Sequence, residues 1–181
     1  MKKTTLIGLM FCMLVLSMLS ACGGGSSNSS PHQPTSATLT LSTTLTGTFP
    51  TPTTTINGYE VTITLPTGVT VKTMSTATTA QTGTGVVVTS GKASNAIAYG
   101  MYTAASGTAP GMIKVYLADT MGFDAGEFCI VKGDIASGYY PTASSFIMPN
   151  LDVATGCDDA ICTNSLDLKK ELSLSAAITI Q

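Results

Sequence analysis

Tyr59, Val61, Ile63 and Leu65 alternate with Glu60, Thr62 and Thr64, the cleanest two-residue period in the chain. Successive side chains of a strand leave opposite faces, so this run predicts a strand with one apolar face turned inward. Upstream, Leu39 and Leu41 flank Thr40 and predict another strand, followed by a Thr/Pro-rich loop through Thr55. Pro66-Thr67-Gly68 bends the chain, and Val69 and Val71 resume the alternation. Further strands are predicted at Val86–Val88, Ala96–Thr103, Ile113–Leu117, Phe128–Val131, Phe146–Met148 and Leu174–Ile180, with Gly, Pro, Asn and Ser clusters between them. Short strands without alternating helices predict an all-β, antiparallel sandwich or barrel. One segment is ambiguous. Asn164 suits the cap of a short helix near 164–172, whereas Leu166/Leu168 and Leu172/Leu174 also fit a strand.

Ahead of this region the pattern is different. Lys2-Lys3 precede an apolar run from Leu6 to Leu19, shorter than the ~20 residues a spanning helix needs. A basic start, an apolar middle and a small-residue cut site predict a secretory signal over residues 1–21. Leu19-Ser20-Ala21-Cys22, followed at once by Gly23-Gly24-Gly25, resembles the lipobox of bacterial lipoproteins. That resemblance implies acylation of Cys22, removal of the preceding peptide and a lipid-anchored location at the cell envelope. Gly23 after the Cys, where Asp would signal retention, implies the outer membrane or cell surface. Residues 22–36 then form a Gly/Ser/Pro tract with almost nothing to bury, which predicts a flexible tether of ~20 Å r.m.s. reach. Residues 37–181 are left as one domain.

Charge narrows the function. All 8 basic residues are lysines, and two of them leave with the signal, so six face 10 acidic residues. A weakly acidic chain without Arg is a poor nucleic-acid binder, because phosphate contacts rest on clustered Lys and Arg. The single His, His32, lies in the tether. The domain thus has no Ser-His-Asp or Cys-His catalysis and no His-based metal site.

Several motifs follow one another in a suggestive order. A Thr-rich first strand precedes Tyr59-Glu60-Val61-Thr62-Ile63-Thr64-Leu65-Pro66-Thr67-Gly68-Val69. Later come Gly111-Met112-Ile113-Lys114-Val115-Tyr116-Leu117, Gly122-Phe123-Asp124-Ala125-Gly126-Glu127-Phe128, and Pro141 with Ser144-Ser145-Phe146. This order resembles the cohesin-like domains, which share a jelly-roll β-sandwich superfamily with certain cellulose-binding modules. The resemblance covers residues 37–181. It implies a jelly-roll sandwich that binds noncovalently: another secreted or envelope protein first, and a polysaccharide as the alternative. Cohesins themselves bind dockerins, small calcium-loaded helical modules. No local motif marks dockerin-contacting positions here.

Candidate site residues are few. Cys157 and Cys162 most simply close a small disulfide ring, and pairing of Cys129 with either remains open. Cys129, between Phe128 and Ile130, reads as a buried inert thiol. Asp152, Asp158 and Asp159 offer oxygen ligands for calcium, but their spacing fits a solvated acidic loop better than an EF-hand. Glu60, Glu127 and Glu171 show no sign of a catalytic carboxylate pair. Sugar-binding modules stack rings on Trp or Tyr faces. Trp is absent, and Tyr116, Tyr139 and Tyr140 are the candidate ligand contacts. Tyr116 shares an outward face with Lys114 and Ala118 if Ile113, Val115 and Leu117 point in.

The expectation is therefore a lipid-anchored, non-enzymatic binding module without metal or cofactor. Its third alternative is a structural lipoprotein of a larger envelope assembly. Cys22→Ser is expected to abolish fatty-acid incorporation and release the chain from the membrane fraction, checked by metabolic labelling and fractionation. A variant that still takes up label and sediments with membranes would contradict the lipobox.

Overall fold

The computed structural model describes residues 32–159 and 162–181. Cys22, the 1–21 segment and the 22–31 part of the tether lie outside the described residues. Among the described residues eleven strands follow in order: β1 Ser36–Leu45, β2 Thr55–Thr64, β3 Val69–Thr70, β4 Thr79–Gln81, β5 Val87–Thr89, β6 Ile97–Thr103, β7 Met112–Phe123, β8 Glu127–Ile135, β9 Leu151–Cys157, β10 Ser165–Asp167 and β11 Leu172–Ile180. They form two antiparallel sheets stacked as a β-sandwich. One sheet runs β11-β1-β8-β3, with β5 also on β8; the other runs β10-β9-β2-β7-β6-β4. Consecutive strands mostly change sheet, so each hydrophobic period packs against the sheet opposite rather than against its neighbour in sequence.

The alternation read from the sequence fills the space between the sheets. Leu39 and Leu41 of β1 face Tyr59, Val61 and Ile63 of β2 and Ile113, Val115 and Leu117 of β7 within one buried cluster. Tyr59 stands at its centre, with its ring 5.4 Å from that of Phe123 and 4.6 Å from that of Phe128. Its hydroxyl lies 2.7 Å from Thr43 Oγ1, a buried hydrogen bond joining β2 of one sheet to β1 of the other. Burial pushes the Tyr59 phenol up to about 12, with the Thr43 hydrogen bond opposing the rise. The phenol is thus neutral and free to donate across the sandwich at any physiological pH.

Bulges place residues that strict alternation would misassign. Between β1 and β8 the register passes from Leu41↔Cys129 to Ser42↔Glu127, leaving Phe128 unpaired. Phe128 and Cys129 are adjacent, yet both are fully buried. Cys129 is a free thiol, and burial pushes its pKa up to about 12.

Two predicted elements differ from the structure. No helix forms near 164–172. Ser165–Asp167 pairs with β9, the chain turns at Lys169-Lys170, and β11 starts at Leu172. Strand alternation wins because it sinks Leu168 and Leu172 into the core. The Asp167 carboxylate meanwhile accepts the Lys169 N–H and holds the turn. Phe146–Met148 makes only an isolated bridge between Ile147 and Thr64. Pro149 has no N–H to extend that ladder. Conversely, β9 is a full strand that its small and acidic residues hid from the apolar pattern.

Tyr59→Phe removes the inter-sheet hydrogen bond and leaves the Thr43 hydroxyl with only its longer contacts to Gly126. A loss of about 1–2 kcal/mol is expected, read as a lower urea midpoint with unchanged slope. Cys129 is expected to resist iodoacetamide at pH 8 in the folded chain and to react only after unfolding, followed by mass spectrometry.

Candidate functional site

The outer face of the β10-β9-β2-β7-β6-β4 sheet is built by strand register. Thr155, Gly58, Ala118 and Ile97 stand side by side across β9, β2, β7 and β6. Next to them come Val153, Glu60, Tyr116 and Tyr99. Together they line an open depression of about 380 Å³.

The strand β6 supplies its wall in an unusual way. Its bulky apolar residues point outward: Ile97 is 76% exposed and Tyr99 44%. Its inward positions are small, Ala98 and Gly100, with only Tyr102 large among them. The cause is underneath. A Cβ on Gly100 would come within 2.8 Å of Val87 Cγ2 and 2.9 Å of Thr82 Cγ2, so the inward face has no room for bulk at that position. The pattern that normally sends Ile and Tyr inside is reversed here.

Tyr99 and Tyr116 are directly opposed on β6 and β7, and their rings stack at 4.8 Å with 13° between planes. Such cross-strand aromatic pairs stabilise a sheet modestly and hold each other's rotamers. Beside them, Lys114 and Glu60 form an ion pair, and Lys114 Nζ sits 5.6 Å from the Tyr116 ring centroid. The hydrogen bond to the Glu60 carboxylate pushes the Lys114 pKa up. The ion pair stands at the border of a face that is apolar in the middle. At that border Asp152 accepts a 2.6 Å hydrogen bond from the Thr62 hydroxyl.

A floor of small residues deepens the site. A Cβ on Gly58 would meet Thr155 Oγ1 at 2.9 Å and the Leu117 carbonyl at 3.2 Å. The β2–β7 register jumps here from Ile56↔Phe123 to Gly58↔Ala118. Asn57 fills the break, its amide donating to the Asp119 carbonyl at 3.0 Å.

The sequence candidates are dispersed. Tyr116 lies in the depression. Tyr139 and Tyr140 do not line it; they sit in the loop after β8. Tyr139 presses its ring on the backbone of Gly68, and its carbonyl accepts a hydrogen bond from the Gln33 amide at 3.0 Å. It works as a cover for the Pro66–Gly68 bend. Cys157 and Cys162 are disulfide-bonded, their Cα atoms 5.0 Å apart. Glu60 is occupied by Lys114, and among the described residues no group of three or more His, Cys, Asp or Glu is placed to hold a metal ion. Tyr99 is one of the available tyrosines that the sequence does not single out, and Ile97, Val153 and Gly58 are not among its candidates. The one signal for Ile97 and Tyr99 is that both faces of Ala96–Thr103 carry apolar residues.

No family model matches the chain, and no curated protein or solved structure matches it.

Proposed function

We propose that this chain is a noncovalent protein-binding module, held at the bacterial cell envelope by lipid on Cys22. The observation that carries the binding surface is the reversal of β6. It leaves Ile97 and Tyr99 exposed beside Tyr116, with the 38%-exposed Val153 on the far side of the same depression and no covering element among the described residues. Exposed apolar patches bordered by polar groups mark interaction surfaces. Aromatic residues concentrate in their energetic centres.

The shape favours a protein over a glycan. In the stacked pair each tyrosine turns one face to the other ring, so the two do not present a flat row of open faces for sugars. What they offer is a ridge beside a small-residue floor, suited to an apolar side chain projecting from a partner surface. The partner is therefore a secreted or envelope protein bearing such a knob, in keeping with the cohesin-like motifs. The Glu60–Lys114 pair satisfies its own charges and leaves the contact to apolar burial. Catalysis has no support in this arrangement, which joins no nucleophile to a base.

Tyr99→Ala and Ile97→Ser alter exposed side chains and are expected to preserve the fold. Each is expected to weaken capture of the partner from envelope or secreted extract by about tenfold or more, measured by pull-down and surface plasmon resonance. Loss of capture with chelator would identify a calcium-loaded, dockerin-type partner. Retardation in polysaccharide gels that Tyr116→Ala abolishes would overturn the protein reading in favour of sugar.

A further inference from the structure

The sheet edges are unequal. β3 has two residues, and β4, β5 and β10 have three each. Short edges are a standard protection against strand addition. β11 is the exception: a nine-residue edge, Leu-Ser-Leu-Ser-Ala-Ala-Ile-Thr-Ile, with no charge, proline or bulge. Its inward residues Leu174, Ala176, Ile178 and Ile180 pack on the core yet stay only half-buried.

Backbone polarity shows what the edge offers. Ser36 and Gln181 exchange both backbone hydrogen bonds, at 2.9 Å each. In an antiparallel ladder such pairs alternate, so Ser173, Ser175, Ala177 and Thr179 direct their N–H and C=O groups to β1. Leu172, Leu174, Ala176, Ile178 and Ile180 direct theirs outward.

We infer that two copies of this chain pair antiparallel through β11, with the two-fold axis at Ala176, to make one continuous sheet across the dimer. The occupant is a second copy because the strand complements itself. Ala176 is its midpoint, so all nine residues pair. Leu174 then meets Ile178 and Leu172 meets Ile180, all through outward-directed backbone groups. On the other face Ser173 meets Thr179 and Ser175 meets Ala177. Apolar residues oppose apolar ones and no like charges meet, which cross-strand pairing requires. A two-fold contact of this kind is closed and yields a dimer rather than a fibre.

The test is amide hydrogen exchange on the full chain across a dilution series, with molecular mass measured by light scattering. Expected are a mass twice that of the single chain and slow exchange at Leu174, Ala176 and Ile178, both lost on dilution. The double variant Ser175→Lys, Ala177→Lys changes exposed positions and sets Lys against Lys across the axis. It is expected to be monomeric, with those three amides in fast exchange. Fast exchange of those amides at every concentration overturns the proposal. So does a dimer that survives the lysines, or protection that ignores dilution, which would mean that a segment of the same chain covers the edge.

Discussion

The crowding beneath β6 shapes what this molecule shows to its surroundings. Thr82 and Val87 reach so close to the backbone at Gly100 that no side chain fits between them. At that position the strand must put a small residue inward. Ile97 and Tyr99 stand on the opposite face, exposed, and the opposing Tyr116 gains a ring to stack on. The exposed patch thus lies on the face opposite an inner packing limit. Its position on paired central strands, rather than on loops, makes it rigid.

The rest of the sandwich is held by a denser centre. Tyr59 gathers Phe123 and Phe128 around its ring and ties the two sheets through Thr43. Bulges at Phe128 and Asn57 bend β8 and β2 so that extra residues serve the core or the floor of the patch. The Cys157–Cys162 link closes a loop of sequence separation 5 at the end of β9. So short a ring removes little chain entropy, and its effect is to pin the loop rather than to hold the fold. Among the described residues the β6–β7 face and the β11 edge lack the usual defences against association, and they lie on different sheets.

Much of the architecture was legible from period and punctuation. The β2 alternation, the inward set Ile113, Val115 and Leu117, and the strand at Leu174–Ile180 all stand where the pattern put them. The tail of the domain was harder. Leu166, Leu168 and Leu172 satisfy both a helical and an extended pattern, and only burial of Leu168 beside β9 decides between them. Strand β9 went unseen because Asp152, Thr155 and Gly156 dilute its apolar residues, and its place is set by pairing with β2.

The chain's own order of residues determined the all-β class, the inward faces of β2 and β7 and the absence of Arg, because side-chain alternation and composition are local quantities. It also offered Tyr116 as an outward residue. What it could not reveal was that Tyr99 lies beside Tyr116, that Ile97 faces solvent, or that β11 is a long sheet edge while the other edge strands are short. Those are facts of register, inter-sheet spacing and strand order. They arise between segments far apart in the chain, where tertiary packing chooses which of two apolar faces goes inside.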